Sequence, residues 1–432
     1  MGTSVELCVG NISLSYSKNF MGMDYGFLFQ QGDIFRRKTD SINYSYYEEH
    51  PEENGELDEA EELFARTLSR ILPRLEILGF TLEAARAEYQ AVVAEAVDID
   101  CFGEPEEQKN EYLTFEEFCN LACRYPLIDL KSGYVKYETP DRNTLSQGRF
   151  AAEINVFERI PRTDNFDSYW SETSFLSARV CILSAESMLQ IFALNAANAE
   201  VEVTWAFGPI VYAGWVQREA FQPGVRQKQK ILIATEGASD ARIMRRSLNI
   251  LRPDVADFFN FVDVDERHHF WGTGNLVKFA EGLLRIDVLN QVLFVFDNDA
   301  EGVDAFRKLE KLKLPANMRA MLLPDLEEFR AFSTLGPEGV SVSDINGRAA
   351  AIECYLDLDL GVEKNPAPQI TWSNFKKDID AWHGALDFKE AYSKHFYNQH
   401  DDQLRNGSYN VSKILKLLDA LVKQAGLVTP VI

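Results

Sequence analysis

The sequence predicts an α/β protein in three parts. These are an α+β N-terminal domain over 1–225, a parallel four-stranded sheet with its helices over 226–340, and a helical C-terminal region over 341–432. Three observations carry this. In the middle, four apolar runs alternate with helical patterns at roughly 30-residue spacing, which demands crossover connections and so a parallel sheet. Those runs are apolar without alternation, as befits strands covered on both faces. The charge also divides the chain. Of a net −23, residues 48–117 hold 21 acidic against 5 basic side chains, whereas 228–330 balance 17 against 15.

The N-terminal part opens with Val5–Tyr16 and Tyr25–Gln30, both read as strands, followed by an exposed acidic loop, EEHPEENGELDEAEE. Leu63, Leu68, Ile71 and Leu72 stand near helical spacing and predict a helix from Leu57 to Leu72. A second helix spans Leu82–Ala96. Thr114 N-caps a third, TFEEFCNLACRY, because a Thr oxygen satisfies free amides there. Val201–Phe207 and Ile210–Val216 read as strands.

In the middle, KILIATEG (Lys230–Gly237) is the first parallel strand and Ser239–Leu251 its helix. Phe258–Asp265 is the second strand, and GTGNLVKFAEGLL turns into a second helix with Asn275 as its cap. Asn290–Asp299 is the third strand, Gly302–Leu314 the third helix and Met318–Asp325 the fourth strand. Downstream, Ser343–Leu358 reads as a capped helix and KNPAPQ as a rigid break. ALDFKEAYSKHF and VSKILKLLDALVKQA then read as helices.

Composition excludes several classes. With 46% hydrophobic and 26% charged residues, the chain is neither disordered, nor a fibre, nor a disulfide scaffold. A pI near 4.8 excludes a basic clamp covering the whole surface, and leaves local basic patches or metal-mediated contact with phosphate. Six scattered cysteines suit reduced thiols and a cytoplasmic location. Cys119 and Cys123 have no second pair with which to hold zinc. No apolar run approaches ~18 residues and no secretory leader is expected, so no membrane partner is expected either. Asp98, Asp100 and Gly103 fit half of a calcium loop, but Lys109 stands where a bidentate Glu belongs, so a solvated acidic loop is the better reading. No GxxxxGK[ST] phosphate loop occurs, so no ATPase is fused here.

Ligands of open parallel sheets bind beyond the carboxyl ends of the strands. Here those ends carry acids: Glu236 with Asp240, then Asp263 and Asp265, then Asp297, Asp299 and Glu301. Like charges at ~4 Å repel by about 1 kcal/mol in water, and more where water is excluded. A divalent cation offsets that repulsion, and Mg²⁺ and Mn²⁺ favour oxygen ligands.

EGASD followed by FDNDAEG on alternating strands resembles the Rossmann-like topoisomerase–primase (Toprim) domain, over about Lys228–Ala331. The resemblance implies two Mg²⁺ or Mn²⁺ ions supporting phosphodiester chemistry. It makes Asp297 and Asp299 metal ligands and Glu236 a ligand or general base. The overcoming-lysogenization-defect (OLD) branch has an acid four residues after the Glu, matched by Asp240. It has a later helical acid, matched by Glu353, and a lysine, matched by Lys389. These imply outer or second-metal ligands and a cation that neutralises charge developing in the reaction. The opening segment and TFEEF are similar to the HEPN/Toprim-associated N-terminal domain, which implies a sensor or partner-binding role beside a nuclease-type effector.

Each assignment has a bland counterpart. Asp240 and Asn275 also suit helix caps, Glu353 a solvated helix face, and Lys389 a surface lysine. Arg242, Arg245 and Arg246 on the first sheet helix suit a grip on nucleic-acid phosphates or a solvated face, as do Arg307, Lys308 and Lys311. His268 and His269, near Trp271, read as an exposed loop pair or a phosphate contact.

The expectation is a metal-dependent nuclease acting in bacterial anti-phage defence, with DNA favoured because the nearest resemblance is to DNA-cutting OLD proteins. RNA, including tRNA, and a non-catalytic partner-binding role are the alternatives. The expected partners are a nucleic-acid substrate, a separate ATPase or phage-derived trigger, and further copies of the chain. A primase or topoisomerase is disfavoured, because no zinc-ribbon pattern occurs.

Overall fold

The structure, a computed structural model, describes residues 3–39, 42–52, 57–101, 111–133, 148–161, 170–262, 272–286, 288–361, 367–377 and 379–429. The second half of the calcium-like loop lies outside these residues, as do Asp263, Asp265, His268, His269 and Trp271. The chain forms two compact units, Met1–Gly224 and Val225–Ile432.

The first unit is built on an antiparallel sheet of β1 (Ser4–Val9), β2 (Ile12–Lys18), β3 (Ile34–Arg36), β4 (Glu62–Thr67) and β5 (Glu202–Ala206), in the order β2-β1-β5-β4-β3. Gly10, at φ +55, makes the tight β1–β2 turn in a conformation other residues resist. Helices α1 (Leu68–Ile77) and α4 (Ala185–Phe192) pack on the sheet, and α2 (Leu82–Cys101) and α3 (Phe115–Ala122) pack on α4. Trp205, Phe64, Phe207 and Phe221 pack ring against ring in the core. Thr114 caps α3 reciprocally with Glu117.

Three expectations fail here. Tyr25–Gln30 contains a single 3-10 turn, Gly26–Leu28, in place of a strand. The helix expected over Leu57–Leu72 is a short turn, Leu57–Ala60, then β4, then the start of α1. Leu63 belongs to a strand whose inner residues are all buried, so it shows no alternation, and its spacing to the α1 leucines mimicked a helix. Ile210–Val216 is no strand, because Pro209 opens a helical turn at Gly208–Tyr212.

In the second unit, β6 (Ile231–Thr235), β7 (Phe259–Phe261), β8 (Gln291–Phe296) and β10 (Met318–Leu322) form a parallel sheet. Their order is β10-β8-β6-β7. Helices α5 (Ala238–Leu251), α6 (Thr273–Arg285) and α7 (Ala300–Glu310) connect them. All six residues of β8 are buried. Asn275 does not cap α6; Gly272 stands at that position, with φ +87.

Beyond β10 the fold departs from the helical region expected. Strands β11 (Phe332–Gly336), β12 (Gly339–Ser343), β14 (Ile370–Lys376) and β15 (Ala381–Leu386) form a mixed sheet, β12-β11-β14-β15. Ser343–Leu358 is not a helix. It contains β13 (Ala349–Ala350), which pairs antiparallel with β9 (Asn298–Asp299), and a 3-10 turn, Ile352–Tyr355. That pairing draws the segment across the carboxyl end of β8, where a helix would be unable to hydrogen-bond with β9. Helices α8 (Lys389–Asn398) and α9 (Ser412–Ala425) follow, and both pack against the 3-10 turn. Among the described residues no single helix is long and apolar enough to cross a membrane. A bent pair, Glu172–Val180 with α4, reaches that length only together, across a 115° break.

Candidate functional site

Glu236 leaves the end of β6, and its Oε1 accepts the Asp297 backbone N–H at 3.0 Å. This bond ties the first strand end to the third. Gly302, in the first turn of α7, makes the approach possible. A Cβ there would lie 2.1 Å from the Asp297 carbonyl oxygen and 3.0 Å from Glu236 Oε1. Asp297 Oδ1 accepts the Ile352 N–H at 3.1 Å, which anchors the turn that carries Glu353. Asp299 caps α7, its Oδ1 accepting the Glu301 and Gly302 amides at 2.9 and 2.8 Å.

Asp240, in the first turn of α5, is buried. Its Oδ2 accepts the Gly237 N–H at 2.9 Å and its Oδ1 the Ser239 hydroxyl at 3.1 Å. It therefore does cap the helix, and it also lies among the other acids. Glu353 is buried too, in the 3-10 turn and not on a helix. Lys413 of α9 holds that turn by donating to the Cys354 carbonyl at 2.7 Å.

The electrostatics define one cluster. Burial raises the Asp297 carboxyl well above the usual range, and Asp240, Glu236, Asp299 and Glu353 each push it further. Burial, then Asp299, pushes Glu236 up to about 8. Burial, then Glu353, pushes Asp240 up to about 7, against the pull of Lys389. Burial also raises Asp299 and Glu353, the latter again opposed by Lys389. Five predicted carboxylates and the predicted lysine are thus brought together, with Lys389 at the exposed start of α8. Glu301 behaves differently: its bond to Lys376 of β14, at 2.9 Å, holds its carboxyl below the usual range.

The three predicted arginines separate. Arg242 and Arg245 are exposed on α5, Arg245 over the Phe261 ring. Arg246 donates to the Tyr397 and Gln399 carbonyls at 2.8 and 2.6 Å, closing the end of α8.

Several residues around the site escape a reading of the sequence. Asn298, between the two aspartates, is buried. It donates to Asp325 Oδ1 at 2.7 Å and accepts the Gly347 N–H at 2.9 Å, clamping the loop before β13. Lys376 and His383 reach the Asp299–Glu301 side from the β14–β15 hairpin. The available signal for that hairpin is the start of ITWSNFK, where Ile370 and Trp372 alternate with Thr371 and Ser373; AWHGAL shows no such alternation.

The donor set suits a hard divalent cation, being carboxylates whose shared anionic state is costly without one. The oxygens are not already gathered around a point. Among the described residues no three His, Cys, Asp or Glu side chains stand ready to hold an ion. One oxygen each of Glu236, Asp297 and Asp299 rests on backbone amides.

Residues 1–229, more than half of the sequence, match the family described as HEPN/Toprim N-terminal domain 1. The chain belongs to that family. Membership suggests a nuclease-like effector, and the HEPN/Toprim match ends before the first of the clustered carboxylates, Glu236. No match was found among curated proteins or solved structures.

Proposed function

We propose that Val225–Ile432 is a Toprim-type catalytic unit that hydrolyses phosphodiester bonds, with DNA the favoured substrate, as a bacterial anti-phage effector. One observation carries this. Glu236, Asp240, Asp297, Asp299 and Glu353 crowd the carboxyl edge of a parallel sheet, and burial raises all five. Glu236, Asp297 and Asp299 would hold one Mg²⁺ or Mn²⁺, with Asp240 and Glu353 serving a second. When bound, such ions polarise a phosphoryl oxygen and make a water nucleophilic at neutral pH.

The chain's own residues do the remaining work. Lys389, which already offsets Asp240 and Glu353, supplies fixed positive charge to a phosphate or leaving oxygen. Glu236, held through its bond to Asp297, serves as a ligand or, alternatively, as the base that accepts a proton from the attacking water. Asn298 and Gly302 hold the Asp-x-Asp segment rigid. Arg242 and Arg245 contact the phosphate backbone, whereas Arg246 serves the end of α8. The first unit acts as the sensor, answering a separate ATPase or a phage-derived trigger in the cytoplasm.

The test incubates the full chain with plasmid DNA, single-stranded DNA and total tRNA in Mg²⁺ or Mn²⁺, beside Asp297→Asn and an EDTA control. DNA cleavage lost in both controls is expected. Cleavage of tRNA alone moves the substrate to RNA. Undiminished cleavage by Asp297→Asn refutes the assignment.

A further inference from the structure

Resting on the metal site proposed above, we propose that His383 is a nitrogen ligand to the ion held at Asp299, and that it biases the site toward Mn²⁺ over Mg²⁺. Three observations support it. His383 Nδ1 is buried and has no hydrogen-bond partner, a state that buried ring nitrogens seldom keep without a purpose. It lies 4.0 Å from Asp299 Oδ2, too far for a hydrogen bond. Two donors that each sit ~2.1 Å from one ion are at most ~4.2 Å apart, so the pair lies within reach of a shared ion. Asp299 Oδ1 is already committed to the Glu301 and Gly302 amides, which leaves Oδ2 for this purpose.

The scaffold around His383 is built to aim it. The β14–β15 register slips between Trp372 and Asn374, so the bulge falls opposite Gly384 and His383. Bulges re-aim side chains and recur next to active sites. Ser373, the extra residue, donates its hydroxyl to the His383 carbonyl at 3.1 Å. Gly384 lets the strands close up: a Cβ there would meet the Ile370 and Trp372 side chains at 2.7 Å. β15 also packs on β13 and α7, the elements that flank Asp299.

The donor chemistry gives the selectivity. Mg²⁺ strongly prefers an all-oxygen shell, whereas Mn²⁺, a first-row transition ion, tolerates an imidazole among carboxylates. The alternative is that His383 only screens the Asp299 charge and never touches the ion.

Electron spin-echo modulation of the Mn²⁺-loaded full chain separates the two, with Mn²⁺ binding counted from the loss of the free-ion signal. Wild type is expected to show imidazole ¹⁴N modulation. His383→Gln is expected to lose it, with Mn²⁺ affinity falling about 10-fold or more and Mg²⁺ affinity moving much less. Mn²⁺ that binds wild type in an Asp297-dependent way without ¹⁴N modulation overturns the His383 assignment and leaves the carboxylate site standing. Modulation that persists in His383→Gln does the same. Absence of any Asp297-dependent Mn²⁺ binding overturns both the assignment and the site beneath it.

Discussion

Replacing Asp297 with Asn should stabilise the metal-free protein while abolishing cleavage. In the folded state the Glu236 carboxyl rises from 4.5 to about 8, and Asp297 also rises well above its usual range. A raised folded-state value means that the folded protein holds protons the unfolded chain releases. Stability is then full below about 4.5 and is lost as pH climbs through about 8. A tenfold change in proton affinity corresponds to about 1.4 kcal/mol, and part of the change here is desolvation that the substitution leaves in place. Removing one of the mutually repelling charges should recover about 1–2 kcal/mol at pH 9, a rise in melting temperature of about 2–8 °C. Asn keeps the oxygen that accepts the Ile352 N–H, so the turn carrying Glu353 remains anchored. Thermal unfolding in EDTA from pH 5 to pH 9 is the assay. Wild type should lose stability more steeply than the variant, and millimolar Mg²⁺ or Mn²⁺ should reverse their order. An Asp297→Asn protein that melts below wild type at pH 9 in EDTA would refute the reasoning.

Further substitutions probe the supports of the site. Gly302→Ala drives a methyl against the Asp297 carbonyl, and should cost about 1–3 kcal/mol in thermal unfolding and abolish metal-dependent cleavage. Asn298→Ala strands the Gly347 N–H and should cost about 2 kcal/mol by denaturant titration, with weaker divalent-ion binding by calorimetry. Arg245→Ala should weaken nucleic-acid binding and reduce the slope of log affinity against log salt by about 1, at a stability cost of no more than about 1 kcal/mol from the lost Phe261 contact. Arg246→Met should do the opposite, lowering the melting temperature and leaving the salt slope alone.

The parallel sheet and its acids were legible because the fold itself writes them into the sequence. A strand covered on both faces reads as an unbroken apolar run, and the residue that follows it stands at the ligand-binding edge. Glu236, Asp297 and Asp299 are therefore visible from position alone. Asp240 is visible through its spacing from Glu236, although its capping bond to Gly237 could not be told from a ligand role. Glu353 and Lys389 emerged only from family resemblance, and Glu353 was placed on a helix that does not exist. The segment is instead shaped by β9–β13 pairing, a long-range constraint with no local signature. The β14–β15 hairpin was read through as helix, so Lys376 and His383 went unnoticed. Similar masking hid β4, whose buried residues show no alternation. Arg246 looked equivalent to Arg242 and Arg245, because helical spacing does not reveal which guanidinium meets the end of another helix.

The most direct measurement of the central claim is anomalous diffraction from crystals of the full chain soaked in millimolar Mn²⁺. The account predicts anomalous density within ~2.0–2.3 Å of carboxylate oxygens of Glu236, Asp297 and Asp299, absent from Asp297→Asn crystals treated alike. Well-ordered crystals with these carboxylates still resting on their backbone amides, and no anomalous density beside them, would contradict it.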